Sequence, residues 1–407
     1  MKAERAYPRA LVTEKGARWA DGGHPWIYEG EVLRVEGSAE NGALVDAVSE
    51  KGKYLGTGFL SERSKIRVRL VSRNANDRFD EAFWRRRVQY AWDYRKAVMG
   101  DDICCCRVIF GEADGFPGLT VDRLGDLLVT QTLSAGIERI KPMLFPLIVD
   151  VMRSDGAQIA GLFERNDAAI REREGLTQGK GWFEALPHPE SAVTEIRENG
   201  LYYLVDVENG QKTGFFLDQK YNRRAAAQLA KGRRVLDCFT HTGSFALNAA
   251  RGGAERVTAA DVSESAVEMA KANAARNGLD GKMDFLRADV FDLLPRLEEA
   301  GGKPFDFIIL DPPAFTKSRE TAANAERGYK EINLRAMRLL PRGGYLATCS
   351  CSHFMPAERF ERMLRSAAHD AKVELRQIEA RQQAPDHPIL WNVPETDYLK
   401  FYLFQVV

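Results

Sequence analysis

Val235-Leu-Asp-Cys-Phe-Thr-His-Thr-Gly-Ser-Phe245 reads as an apolar strand that stops at an acid, turns on one glycine and enters a helix. The same unit recurs downstream. Arg234-Val-Leu-Asp237, Val257-Thr-Ala-Ala-Asp261, Met283-Asp-Phe-Leu-Arg287, Phe305-Asp-Phe-Ile-Ile-Leu310 and Gly344-Tyr-Leu-Ala-Thr348 are strand candidates separated by Ala-rich helical stretches. Regular alternation of this kind predicts a mainly parallel, doubly wound α/β sheet, whose ligand lies past the carboxyl ends of the strands at the topological switch point.

The turn itself narrows the ligand. A dinucleotide site uses three glycines so that a pyrophosphate can approach the backbone and a helix N-terminus. Here Gly243 stands alone, which disfavours a dinucleotide and suits a smaller ligand without phosphate, such as S-adenosylmethionine. Asp237 closes the first strand, Asp261 closes the second where a carboxylate accepts ribose hydroxyls, and Asp289 follows the third, beside an adenine edge. Each acid alone also reads as a helix N-cap, but three at successive strand ends form a more specific pattern.

Two further strand ends carry chemistry. Leu310-Asp-Pro-Pro-Ala-Phe315 places two donor-free, conformationally fixed prolines where a strand leaves the sheet, so that Asp311 and Pro312 form a rigid lip and Phe315 can stack on a planar base. Thr348-Cys-Ser-Cys-Ser-His353 brings two thiols to the end of the fifth strand. Strand alternation sends Cys349 and Cys351 to opposite sides, so one faces the crevice of Asp311 and the other is inert packing. C5 of a pyrimidine is a poor nucleophile, whereas thiolate addition at C6 makes it an enamine that accepts a methyl group, with Asp311 holding charge or a proton near N3.

Working outward, residues 1–72 read as short strands separated by glycine-rich turns, a small β-barrel: Ala10–Thr13, Trp26–Val35, Ala43–Val48, Tyr54–Phe59 and Ile66–Leu70. Residues 73–190 read as a small α+β domain, with a helix over 83–98 packed through Trp84, Val88, Ala91 and Trp92, a strand pair across Asp114-Gly-Phe-Pro-Gly118, a helix over 140–153 and a strand over 158–163. Residues 191–407 form the α/β domain.

The net charge is zero, with 58 basic and 58 acidic residues, so attraction for a polyanion must be local. Between Arg63 and Lys96, eleven Lys/Arg outnumber four Asp/Glu, a local excess of +7. Alternation at Arg63, Lys65, Arg67 and Arg69 puts four cations on one strand face, and Arg85-Arg86-Arg87 lies close by in sequence, a pattern suited to phosphates, against the plainer reading of a solvated helix face. The six cysteines, three of them adjacent (Cys104, Cys105, Cys106), lack the spacing of a disulfide framework or a zinc site, so no metal is expected, and Ile103–Phe110 is expected to be a buried strand. No apolar run reaches a membrane span, and Met1-Lys-Ala-Glu-Arg5 lacks a signal-peptide core, so a cytoplasmic location is the expectation.

With these residues in view, the chain resembles the bacterial large-subunit (23S) rRNA cytosine-5 methyltransferases that carry an N-terminal PUA domain. The resemblance rests on Asp237–Phe245, Asp311–Phe315, Cys349–His353, Lys212-Thr-Gly-Phe-Phe-Leu-Asp-Gln219, Gly111-Glu-Ala-Asp-Gly-Phe-Pro-Gly-Leu-Thr-Val-Asp122, Gly23-His-Pro-Trp-Ile-Tyr28 and Asp386-His-Pro388. It implies a PUA barrel, a central EEHEE-type domain and a class I methyltransferase domain. It also implies a cofactor site lined by Lys212, Thr213, Asp237, Gly243, Asp261 and Asp289; Phe239, Thr242 and Asp311 are taken with them. Cys351, which stands before Ser-His, is the nucleophile by that pattern, while the Thr-Cys-Ser pattern of other RNA cytosine-5 methyltransferases points to Cys349. Arg67, Arg69, Arg85, Arg86, Pro312 and Phe315 would meet the substrate. His241 and Ser244 depart from the family's aromatic and glycine, and no residue is assigned to remove the C5 proton. The implied partner is large-subunit rRNA or a ribosome-assembly intermediate, and a homodimer is compatible with it. The competing readings are an N-methyltransferase acting on guanine or adenine and a non-catalytic RNA-binding or assembly factor.

Overall fold

The computed structural model describes residues 5–316 and 321–407. The chain forms two compact units, one of residues 1–196, 205–217 and 385–396 and the other of residues 197–204, 218–384 and 397–407. Segments 205–217 and 385–396, which the sequence places inside the third domain, thus belong to the first unit.

In the first unit, six strands form one sheet in the order Trp26–Tyr28, Ile66–Ser72, Tyr54–Leu60, Leu44–Ser49, Arg9–Val12 and Val32–Glu36. Alternating apolar residues such as Ala10, Val12, Val45, Ala47 and Val68 fill its core. The single strand expected over 26–35 is broken by a helical turn at Glu29–Glu31, and a helix at Glu14–Asp21, capped by Thr13, was not anticipated.

A second sheet follows, in the order Gly179–Trp182, Gly161–Asn166, Leu127–Thr132, Leu119–Leu124 and Cys105–Phe110. By sequence it is three strands, a helix and two strands, one strand more than the EEHEE pattern. Helix Glu81–Met99 starts at Asp80, whose side chain accepts from Phe83 N, and buries Trp84, Val88, Ala91 and Trp92 as the spacing predicts. The cysteine triplet needs correction. The strand begins at Cys105, so Cys105 and Cys106 are buried while Cys104 is exposed in the preceding turn.

The second unit holds a seven-stranded sheet in the order Met283–Arg287, Arg256–Asp261, Arg234–Cys238, Phe307–Leu310, Tyr345–Ser350, Lys400–Val406 and Leu375–Arg381. Lys400–Val406 runs antiparallel to both neighbours and the first five strands are parallel. Burial on both faces explains the unbroken apolar run Phe307–Leu310. The chain order reverses beside Arg234–Cys238, and the crevice beyond its carboxyl end is where this architecture holds ligands. Among the described residues no helix is long and apolar enough to cross a membrane; Met1–Glu4, part of the segment judged above for a signal-peptide core, lie outside them.

Candidate active site

The turn after Arg234–Cys238 is built under strain. Phe239 (φ 64°), His241 (φ 50°) and Gly243 (φ 81°) all adopt left-handed backbone, which costs two non-glycine residues on the order of 1–3 kcal/mol each and is found mostly where a ligand needs the shape. At Gly243 a Cβ would come within 3.0 Å of Ala270 Cβ, so glycine serves both conformation and fit. The turn is tied to the acids. Asp261 accepts His241 N and Ser263 N, each at 2.9 Å. Asp237 Oδ2 accepts Thr240 Oγ1 at 2.6 Å and Ala246 N at 2.9 Å.

Asp237 Oδ1 and Thr242 Oγ1 are buried, with no hydrogen-bond partner among the described residues. A buried polar atom left unpaired is costly, on the order of 1–3 kcal/mol, and an acceptor in that state fits a ligand donor such as an amino group. Burial pushes the Asp237 carboxyl up to about 7 despite its hydrogen bonds. Asp289 realises its N-cap reading, its Oδ1 accepting Phe291 N at 2.8 Å at the head of helix Val290–Ala300. Since a carboxylate oxygen accepts more than one bond, neither Asp261 nor Asp289 is saturated for a ribose or adenine contact. These residues therefore fit S-adenosylmethionine.

Asp311 follows the strand Phe307–Leu310 into the same crevice. Its Oδ1 accepts Gln219 Nε2 at 3.0 Å and Cys349 Sγ at 2.9 Å. Gln219 Nε2 also reaches Cys349 Sγ at 3.2 Å, and its amide is oriented by Asn222 Nδ2 donating to Oε1 at 2.6 Å. Burial, aided by the charge of Asp218, raises the Asp311 carboxyl above its ordinary range, against the pull of the Cys349 thiol, the Arg223 guanidinium and Gln219. Arg223 is itself buried in a 2.6 Å pair with Glu198.

The two cysteines differ. Burial and the Asp311 carboxylate hold Cys349 well above the usual thiol range, so it stays a protonated donor. Cys351 lies past the end of strand Tyr345–Ser350 and is partly exposed. The expected alternation between opposite faces does not govern it, because it has left the strand. Its charge acts on Cys349, Tyr329 and Lys400.

Phe315 packs at 4.6 Å from Tyr329, 5.6 Å from Phe291 and 6.4 Å from Phe239 of the strained turn, ring centre to ring centre, and Pro312 is buried. Thr213 Oγ1 donates to Asp122 Oδ2 at 2.6 Å inside the first unit, where its hydroxyl serves the fold, and Lys212, at φ 53°, lies over the ring of Phe216. The four-cation strand face is not formed, because the strand starts at Ile66 and leaves Arg63 and Lys65 outside it. Arg67 is paired with Glu29, and Arg69 is paired with Glu112 (3.2 Å) and Glu174 (3.0 Å). Arg95 is fully buried against Asp114, and Arg87 donates to the carbonyls of Gly115 and Val71. Arg85 pairs with Glu81 and Asp150, whereas among the described residues Arg86 reaches only its own helix carbonyl and lies over Phe83.

Gln219, Asn222 and Lys400 were not singled out for roles. Gln219 ends the motif Lys212–Gln219 used for the resemblance, and that is the one signal that could have found it.

The PUA-like domain family matches residues 11–73, and the family described as S-adenosylmethionine-dependent methyltransferase matches residues 180–405. The ribosomal RNA large subunit methyltransferase I of Klebsiella pneumoniae (strain 342) is 38% identical over 98% of this chain and 99% of its own length. That of Escherichia coli (strain SMS-3-5 / SECEC) is 40% identical over 94% and 96%. A putative SAM-dependent methyltransferase from Streptococcus mutans superposes with a TM-score of 0.81 at 22% identity, covering 98% of this chain and 100% of that one. A putative methyltransferase complexed with SAH gives 0.82 at 22%, with the same coverage; both show the fold. With full-length identity near two residues in five and a matched catalytic domain, the chain belongs to the ribosomal RNA large subunit methyltransferase I family of S-adenosylmethionine-dependent methyltransferases.

Proposed function

We propose that the enzyme methylates C5 of a cytosine in large-subunit rRNA, with Cys351 as the nucleophile. The observation that carries this reading is the unlike state of the two thiols: Cys349 is locked as a hydrogen-bond donor to the Asp311 carboxyl, and Cys351, two residues on, is partly exposed. S-adenosylmethionine, when bound, supplies an electrophilic methyl group. Asp237 Oδ1 takes its amino group and Asp261 its ribose hydroxyls, with the strained turn of Phe239, Thr242 and Gly243 closing around it and Asp289 at the adenine; Lys212 is carried as a further contact by the resemblance alone.

The Cys351 thiolate spends a lone pair on a bond to C6. The C5–C6 π pair is thereby released toward the ring, and Asp311, whose carboxyl is raised by burial, donates a hydrogen bond or proton at N3. C5 then accepts the methyl group. Loss of the C5 proton to a base restores the double bond as the C6–S bond breaks and the pair returns to Cys351 sulfur, and any proton given to N3 returns to Asp311. Cys349 and Gln219 orient Asp311 throughout. The PUA-like domain and the exposed cations Arg63, Lys65, Arg85 and Arg86 serve RNA docking, with Arg67 and Arg69 shaping that surface through their ion pairs.

The test is mass spectrometry of rRNA from cells lacking the protein. Loss of one 5-methylcytidine from large-subunit rRNA, restored by the wild-type gene and not by Cys351→Ala, is expected. Loss of a methylated guanine or adenine would replace this reading with N-methylation, and restoration of 5-methylcytidine by Cys351→Ala would remove Cys351 as the nucleophile.

A further inference from the structure

Lys400 opens the strand Lys400–Val406, opposite Ser350 in the antiparallel register, at the point where the cysteine-bearing strand ends. Its side chain is buried, with 7% of the residue exposed. Nζ donates to Ser352 O and to Tyr398 O, each at 2.7 Å. These bonds clamp the residue after Cys351 and leave one ammonium donor unspent. Among the described residues Lys400 makes no ion pair with a carboxylate, an unusual state for an enclosed ammonium. The ionisable groups facing it are Cys351, Asp397 and Cys349, and Tyr329 faces Cys351 from helix Ala322–Leu339.

We propose that Lys400 is the positioning residue for the nucleophile: it fixes the Cys351–Ser352 backbone and supplies the positive charge that favours the Cys351 thiolate. The inference rests on Cys351 being the attacking thiol. Burial pushes the Lys400 ammonium down to about 8, opposed by the charges of Cys351, Asp397 and Cys349. The ammonium and a Cys351 thiolate thus stabilise each other's charged form. The selectivity between the two thiols follows. Cys349 faces the Asp311 carboxyl and is held protonated, while the ammonium bonds the carbonyl of the residue after Cys351 and is coupled more strongly to Cys351 than to Cys349. Loss of the Cys351 proton goes to solvent before the base binds, so Lys400 forms and breaks no covalent bond.

The experiment follows carbamidomethylation of Cys351 by iodoacetamide in the full-length protein across pH 5.5–10, localised by fragment mass spectrometry. In wild type the alkylation midpoint is expected below the ordinary thiol value of about 8.5. In Lys400→Met it is expected about one pH unit higher, and Lys400→Arg, which keeps the charge, should return most of the shift. An unchanged midpoint in Lys400→Met overturns the proposal. Should that variant not fold by circular dichroism, the wild-type midpoint still decides, since a value at or above about 8.5 overturns it too. Methylation by Cys351→Ala, assayed separately, reports on the nucleophile itself, so failure of the parent reading is distinguishable from failure of the role of Lys400.

Discussion

The basic block of the first unit and the crevice of the second both concentrate ionisable groups, yet the structure treats them in opposite ways. Around Arg67, Arg69, Arg87 and Arg95, each guanidinium meets carboxylates or carbonyls, bidentately at Arg95 with Asp114, although Arg69 Nε and Glu174 Oε2 stay buried without a partner among the described residues. Around Asp237, Asp311 and Lys400, groups are buried and, among the described residues, left short of partners or held away from their usual ionisation. The first arrangement stabilises a fold, and the second stores an unsatisfied demand that a ligand meets. Residue counting alone would have ranked the two regions the other way round.

That contrast breaks most visibly at the thiols. Cys351→Ala is expected to lower the methylation rate by at least about 10³-fold, whereas Cys349→Ala, which removes a donor to Asp311 but no bond to substrate, should cost about 10-fold, read from single-turnover rates on an rRNA fragment. Comparable losses in both variants would erase the distinction between them.

On the cofactor side, Asp237→Ala should weaken S-adenosylmethionine binding by about 10- to 100-fold in calorimetry, the worth of a charge-assisted hydrogen bond. The pH dependence has a definite sign. The Asp237 carboxyl, raised by burial to about 7, is mostly protonated at pH 6 and half ionised at 7, and only the ionised form pairs with the amino group. Affinity should therefore rise about 5-fold from pH 6 to 7 in wild type and stay flat in the variant. The apo protein carries the opposite trend: a raised acid stabilises the fold below its unfolded value, near 4, and loses that contribution as pH climbs toward 7.

In the front half the expected effects are on stability and docking instead. Arg95→Met leaves Asp114 without its bidentate partner and should destabilise the protein by about 3 kcal/mol in denaturant unfolding, while leaving the single-turnover rate of the folded fraction intact. Arg86→Ala, at an exposed position without a carboxylate partner, should raise the dissociation constant for RNA about 2- to 3-fold and reduce the slope of log affinity against log salt by about one. A salt slope unchanged by this substitution would remove Arg86 from the RNA surface.

Much of the catalytic unit was legible in the residues because its signals are local. Strand, acid and turn follow one another within Val235–Phe245, and Asp311 precedes two prolines that can occupy few positions in such a sheet. The misreadings came from long-range pairing. Arg69 meets Glu174 from 105 residues away, and Thr213 meets Asp122 across 91, distances at which charge and hydroxyl patterns say nothing about partners. Segment 385–396 joins the first unit through Asp386, which accepts Arg107 N and, with its carbonyl, Arg95 Nη2; this accounts for the acid of the Asp-His-Pro motif that the sequence displayed without a role. Gln219 and Lys400 escaped notice because an amide and a lysine at a strand edge carry no distinctive spacing.

The central claim is a covalent bond between Cys351 and C6 of the target cytosine. An rRNA fragment carrying 5-fluorocytidine at the modified position, incubated with enzyme and S-adenosylmethionine, reports it directly, since fluorine at C5 cannot leave as a proton and the intermediate is trapped. The account predicts a stable protein–RNA adduct that maps by mass spectrometry to Cys351 and is absent from Cys351→Ala. An adduct at Cys349, or turnover of the fragment with no adduct, would contradict it.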